Sequence, residues 1–423
     1  MRCIFAWTHA YVEYDGKLKP CCAPVEFGRI DEKGIPETFS SRDANILRRS
    51  MANDSKESIP KVCQNCLNLP RLAGNNAFDD FFPLSERKMG DLEKDGHSAF
   101  VENYKVVRES FMKGNPLPPD SKPLQVMVQL GEHCNLRCVM CPQDHDHAIK
   151  IDRKYIEKTK ELMPTLYGFS FSGGEPLVYR EFWELAGHFQ RHAVPIARFS
   201  TLTNAILLTK DKLHNYLKDI NNFGIGVNID SCTKETYEKI RRGAKWETLM
   251  QNIYDFDEFR TKYNKNWGIN LAVTIMKSNL DELSGAIKLA SELGAGFGCG
   301  MITGEHAPIK NCRTYFEENI FRFSHLGYTK QEILDKLNEA LNNVSLLKKE
   351  HREAASSNIN GVIDYLQKTD RIDIPAKKVA RMRALNDVDL SREILAYMTG
   401  AKSDKMKAII SRFIKRFRLQ SVG

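Results

Sequence analysis

Between Leu124 and Ile302 the chain alternates short β-branched runs with longer stretches of helical spacing. Alternation of this kind argues for βα units around a parallel sheet, and right-handed crossovers curl such units into an open barrel. The runs predict strands over Gln125 to Leu130, Gly168 to Ser172, Ala197 to Thr203, Gly224 to Asp230, Ile269 to Lys277 and Gly296 to Ile302. Amphipathic stretches such as Arg153 to Met163, Glu181 to His192, Lys212 to Ile220, Lys234 to Arg241, Trp246 to Thr261 and Leu280 to Leu293 supply the helices. In parallel barrels functional groups gather at the C-terminal ends of strands.

The first predicted strand runs into His133-Cys-Asn-Leu-Arg-Cys-Val-Met-Cys141, a CxxxCxxC loop carrying Cys134, Cys138 and Cys141. A cubane cluster has four metal corners, so three thiolates leave one iron open to a small molecule. A loop of inert buried thiols is the plain alternative. The second strand ends in Ser172-Gly-Gly-Glu-Pro176. Two glycines let a ligand approach the backbone, and Glu175 suits an ammonium group; alone, the sequence is a turn.

Composition narrows the setting. At 423 residues, 42% apolar and 27% charged, the chain can bury a sizeable core and divide into two or three domains. Eleven cysteines, an odd number on a long chain, suit a reducing cytosol where thiolates hold metal rather than a secreted disulfide scaffold. Trp7, Thr8 and His9 stand where a signal peptide needs an unbroken apolar run, and no run approaches transmembrane length, so a cytoplasmic protein is expected. The net charge of +8 comes with no DNA or RNA recognition signature, so nucleic acid is not expected as a partner.

Residues 1–75 differ from the rest, with short runs, the turn signals Asp15-Gly16 and Lys33-Gly34, and the cysteines Cys3, Cys21, Cys22, Cys63 and Cys66. They read as a separate small metal-stabilised lobe. Residues 76–120, ending in Lys113-Gly-Asn-Pro-Leu-Pro-Pro119, read as a connector, 121–305 as the barrel and 306–423 as a helical region. In the last, Thr329 with Glu332 makes a capping box ahead of Ile333, Leu337, Leu341 and Val344.

In this order and spacing, the three-cysteine loop and Gly-Gly-Glu-Pro resemble the radical S-adenosylmethionine (SAM) superfamily. The resemblance implies an α/β fold, a partial (β/α)6 radical SAM barrel. It implies that Cys134, Cys138 and Cys141 hold a [4Fe-4S] cluster whose open iron is chelated by the amino and carboxylate groups of S-adenosyl-L-methionine. The Gly173 and Gly174 backbone and Glu175 would receive the SAM amino group, and Met140 would lie near adenine. Thr203-Asn204-Ala205 looks like the family's Thr-Asn-Gly, with Ala205 departing from it. Asn228-Ile-Asp-Ser231 looks like Ser-Ile-Asp-Gly, which makes Asp230 and Ser231 candidates for the ribose or carboxylate; the competing reading is strand-end polar residues closing a turn. The activity implied is one-electron cleavage of SAM to methionine and a 5′-deoxyadenosyl radical that abstracts hydrogen from a substrate C–H bond, with a reductant such as flavodoxin or ferredoxin as partner.

Near the N-terminus, Cys3 and Cys21 flank Gly16, and Cys63 and Cys66 form a CxxC. Four thiolates close a cluster completely, and zinc accepts the same four. Cys3-Ile-Phe-Ala-Trp7, Asp15-Gly16, Pro20-Cys-Cys-Ala-Pro24, Gly28-Arg-Ile30, Leu47-Arg-Arg-Ser50 and Cys63-Gln-Asn-Cys66 look like the SPASM/twitch domain. That resemblance implies an auxiliary [4Fe-4S] cluster on Cys3, Cys21, Cys63 and Cys66. The domain usually follows the barrel and here precedes it. Cys22 is the spare thiol, with Cys21 favoured by the GxxxxC spacing. With no vacant iron, electron transfer or a structural role is expected.

Remaining candidates each face a plainer reading. Cys299 is the one candidate catalytic residue, as a hydrogen-atom donor, against a small buried hydrophobe. His145 and His147 read as substrate contacts or a solvated loop, and Arg241 or Arg242 as a carboxylate ligand or surface charge. Met406, Ile409, Ile410, Phe413, Ile414 and Phe417 share one helical face with basic residues around the other, which suits membrane contact through a C-terminal basic amphipathic helix, or packing on the protein itself. Peptide modification by crosslinking, epimerisation or oxidation leads among substrate classes, followed by oxidation or rearrangement of a carbohydrate or other small metabolite. A non-catalytic iron–sulfur or zinc scaffold or RNA-binding module is the alternative of another kind; the intact Gly-Gly-Glu-Pro argues against it.

Overall fold

A computed structural model describes residues 2–31, 33–53, 56–64, 66, 69–74, 76–143, 148–302 and 311–399. The six predicted strands all form: β4 (Gln125–Gln129), β5 (Gly168–Ser172), β6 (Arg198–Thr203), β7 (Asn222–Asn228), β8 (Asn266–Ile275) and β9 (Gly296–Met301). They pair in sequence order, every neighbour parallel, as a chain of right-handed βα units requires.

Period two divides the sheet's faces. Phe169, Phe171, Phe199 and Phe223 are fully buried and meet Phe182 and Phe189 of helix Arg180–His192 and Phe256 of helix Trp246–Lys262, with ring centroids 4.8 Å apart for Phe171–Phe182 and 6.0 Å for Phe223–Phe256. This aromatic layer supplies much of the burial that holds helices to sheet. The other face is small and polar. A Cβ on Gly224 would stand 2.5 Å from the Arg198 guanidinium, and one on Gly226 2.6 Å from Leu202, so long side chains of β6 lie across gaps that only glycine leaves.

The N-terminal segment continues the barrel sheet at its first edge. Its strand β1 (His9–Val12) pairs in parallel with β4, His9 opposite Gln125 and Val12 opposite Val128. Strands β2 (Lys17–Lys19) and β3 (Gly28–Arg29) continue outward antiparallel, giving one nine-stranded sheet of order β3-β2-β1-β4-β5-β6-β7-β8-β9 among the described residues. Ala10 and Val12 match the buried Val126 and Val128 in register. Local pattern cannot reveal a partner more than a hundred residues away. Residues 76–120 do more than connect: helices Ala77–Phe81, Glu86–Lys94 and Ser98–Lys113 bury Phe78, Leu92 and Tyr104, and Trp7 packs edge-on against Phe111 at 5.6 Å.

The C-terminal region covers the opposite edge. Helix Lys349–Lys368 lies along β9, where Gly296 and Gly298 leave room for His351 and Asn358. An edge strand so covered offers no template to another chain. Helix Lys330–Asn343 starts at the predicted capping box, with Glu332 N donating to Thr329 Oγ1 at 3.1 Å and Thr329 N donating to Glu332 Oε2 at 2.7 Å. The amphipathic segment from Met406 to Phe417 lies outside the described residues, as do His145 and His147.

Candidate active site

The three-cysteine loop follows β4 and is held from several sides. Arg137 N donates to Arg242 O (2.9 Å), Val139 N to Ile240 O (3.0 Å), and Asn311 Nδ2 to Val139 O (2.7 Å) and Cys141 O (3.2 Å). Gly131, at the loop's start, has φ +143°; a Cβ there would strike Ile149 O at 2.2 Å. The Gly-Gly-Glu-Pro turn after β5 is fastened to the same loop: Gly174 N donates to Gly131 O (2.8 Å) and Glu175 N to His133 O (2.9 Å). A Cβ on Gly174 would stand 1.9 Å from His133 O, so glycine is required here for close backbone approach.

Glu175 is 1% exposed. Its Oε1 accepts from Thr203 Oγ1 (2.7 Å) and Leu177 N (3.1 Å), and its Oε2 from Asn204 N (2.7 Å). Burial raises its pKa, and the three donors oppose that rise. The carboxylate thereby ties the turn after β5 to the end of β6. Asn204 continues the connection, its Nδ2 standing 3.8 Å from Cys134 Sγ and 2.8 Å from Asn135 Oδ1.

These elements enclose a cavity of about 370 Å³ at the C-terminal ends of the strands, lined by Cys134, Cys138 and Cys141 together with Met140, Gly173, Gly174, Glu175 and Asn204. Volume and mixed lining are those of a small-molecule site. The sequence reading passed over other residues of this wall: Leu202, Asn228, Thr274, Met301 and Ile302. Asn228 opens the motif Asn228-Ile-Asp-Ser231, and the others carry only their positions within or at the ends of predicted strands.

Asp230 and Ser231 lie outside the wall. Asp230, 1% exposed and at φ +53°, pairs with the Arg241 guanidinium and accepts from Thr274 N at 2.6 Å. Ser231 Oγ donates to Glu282 Oε2 at 2.5 Å. Arg241, 8% exposed, lines the cavity and donates from a terminal nitrogen to Cys138 Sγ at 3.5 Å. Burial works against its charge, but Asp230 and Cys138 override it and raise its pKa. Cys299 also lies outside the wall, its thiol pushed up to about 12 by burial.

The thiols fit a cluster. Burial raises all three, Cys134 to about 11, while the Arg241 charge opposes the rise at Cys138 and Cys141. Among the described residues no three His, Cys, Asp or Glu side chains converge as a single metal ion demands. A cubane needs no such convergence, since each thiolate takes its own iron.

Cys3, Cys21, Cys63 and Cys66 come from separate places in the chain. Cys3 bridges to Ala73, Cys21 follows β2, and Cys63 lies on the short helix Lys61–Gln64. Burial pushes the Cys3 thiol up to about 12, with the charges of Cys21, Cys66 and Cys63 adding to it; Cys21 rises to about 11. Cys22 is exposed. Gly16 has φ +84° in the β1–β2 turn, and a Cβ there would overlap the Tyr155 ring at 2.3 Å.

A parallel sheet with three cysteines lining one cavity at its strand ends makes an α/β protein whose site suits an iron–sulfur cluster. Residues 128–290 match the model of the radical SAM superfamily, and residues 3–67 that of the SPASM iron–sulfur cluster-binding domain. The chain thus carries a radical SAM domain and, N-terminal to it, a SPASM domain; these domains imply SAM, a [4Fe-4S] cluster and an auxiliary cluster. It is similar to the mycofactocin maturase MftC of Mycobacterium tuberculosis, 26% identical over 178 residues, covering 41% of this chain and 43% of that one. It is likewise similar to the Fe-coproporphyrin III synthase of Methanosarcina barkeri, 27% identical over 180 residues, covering 41% and 42%. The chain therefore spans less than half the length of these relatives. Streptococcus suis SuiB bound to precursor peptide SuiA is 16% identical, with 63% of this chain and 58% of that chain covered and a TM-score of 0.41. No described helix is long and apolar enough to cross a membrane.

Proposed function

We propose that the protein is a radical SAM enzyme that cleaves SAM reductively and abstracts hydrogen from a C–H bond of a peptide. One observation carries the reading: the three-cysteine loop, Gly-Gly-Glu-Pro and Asn204 are hydrogen-bonded into the wall of one cavity. When bound, the cluster and SAM supply a 5′-deoxyadenosyl radical. Cys134, Cys138 and Cys141 would hold the cluster, and Cys3, Cys21, Cys63 and Cys66 the auxiliary one. The Gly173–Gly174 backbone leaves room for the SAM amino group, and Glu175 is held beside it by its three donors. Met140, Leu202, Met301 and Ile302 keep water from the reacting atoms.

The maturase among the relatives supports a peptide substrate. The porphyrin synthase, at equal similarity, supports a small metabolite as the second reading. Anaerobic reconstitution followed by chromatography for 5′-deoxyadenosine tests the enzyme itself: no SAM cleavage under strong reductant would sink it. Adding a short peptide encoded beside the gene, against sugars and tetrapyrroles, separates the substrate classes by which one gains a mass shift.

A further inference from the structure

We propose that Arg241 and Asp230 act as a pair of positioning residues that set the reduction potential of the cluster on Cys134, Cys138 and Cys141, in the absence of SAM as well as in its presence. This rests on the reading that those thiolates hold the cluster.

The pair is enclosed and fixed. Arg241 and Asp230 are 8% and 1% exposed, so solvent screens neither charge effectively. Asp230 Oδ1 accepts from Thr274 N at 2.6 Å, and Asn279 Nδ2 donates to Asp230 O at 2.8 Å. Asp230 keeps a left-handed backbone, which a non-glycine residue holds only where neighbours enforce it. Arg241 N donates to Tyr237 O at 2.7 Å. Its guanidinium thus stands between two fixed points, the Asp230 carboxylate on one side and Cys138 Sγ, 3.5 Å away, on the other. Its Nε has no hydrogen-bond partner among the described residues.

Reduction adds negative charge to a cluster, and hydrogen bonds and charges at its sulfurs set the potential. The Arg241 cation and its N–H on the Cys138 sulfur favour the reduced form. Asp230, behind it, offsets part of that charge while holding the guanidinium in place. The two residues therefore pull in opposite directions. Removing the cation exposes a buried carboxylate and lowers the potential, whereas neutralising the carboxylate frees the cation and raises it.

The test is an EPR-monitored redox titration of the reconstituted full-length chain without SAM. The relevant signal is the one that changes when SAM is added to a parallel sample. Arg241→Gln should shift the midpoint down and Asp230→Asn up, each by about a tenfold change in the reduced-to-oxidised ratio at fixed potential, 59 mV for one electron. Arg241→Lys should stay closer to the unmodified chain than Arg241→Gln. Shifts of the same sign, or none with full iron and sulfide content, overturn the proposal. If Arg241→Gln fails to load, Asp230→Asn decides: an upward shift supports the pair, an unchanged or downward one overturns it. A wild-type chain with no SAM-responsive signal would instead overturn the underlying reading of the cysteine loop.

Discussion

The two groups of thiols are built in opposite ways. Cys134, Cys138 and Cys141 lie within eight residues on one loop, pinned by the backbone at 240–242 and by Asn311, with a buried cation beside one sulfur. Cys3, Cys21, Cys63 and Cys66 are scattered over more than sixty residues, and the charges reaching Cys3 are those of its fellow thiols. The first site is preorganised by its surroundings and opens into a cavity; the second depends on several short elements meeting. A local motif can be read from spacing, whereas an assembled one exists only when strands pair.

The largest expected effect separates the two sites. Cys138→Ala should abolish 5′-deoxyadenosine formation, while Cys63→Ala should remove about one cluster's iron and leave SAM cleavage measurable. Loss of cleavage in both would show that the sites work as one. Next comes the backbone contact beneath the cavity: Gly174→Ala should cost about 1–3 kcal/mol in thermal unfolding and weaken SAM binding measured by calorimetry. Gly300→Ala, where nothing lies within 4 Å of a new Cβ, should stay within about 0.5 kcal/mol.

A third prediction concerns acid. Burial lowers the His9 pKa to about 3, with Thr8 Oγ1 2.7 Å from Nδ1 and the Phe5 ring 3.8 Å away. The unfolded chain takes up this proton below about 6.5 and the folded chain does not, so stability falls as pH drops through that window, by about 2 kcal/mol at pH 5. Melting curves of His9→Asn should show a flatter decline between pH 7 and 5; an equal slope would clear His9. The smallest effect is expected at Cys22: Cys22→Ser should keep full iron content, where Cys21→Ser should lose the auxiliary cluster's share. The reverse result would reassign the ligand.

Legibility followed the range of the interaction. All six barrel strands came through because short strand-like runs are written locally, and β5 matches to the residue. β7 stops at Asn228 rather than Asp230 because Asp230 turns to positive φ. Lys212 to Ile220, expected as a helix, instead carries a wider π-type turn over Leu213–Leu217. Gly-Gly-Glu-Pro was legible as a motif, but the three donors that hold Glu175 were not, since Thr203 and Asn204 arrive from the next strand. Asp230 and Ser231 stood out because Asn228-Ile-Asp-Ser231 looks like Ser-Ile-Asp-Gly; Arg241 and Glu282, from later segments, are their partners, which no spacing announces.

The pairing of β1 with β4 also orders events in time. Residues 9–12 leave the ribosome with Cys3 and Cys21 close by, yet their parallel partner, residues 125–128, is made more than a hundred residues later. At about 5–20 residues per second the wait is roughly 6 to 23 seconds. Until then the N-terminal thiols lack the strand that anchors them, so the segment first in the sequence is completed only after the barrel's first strand exists.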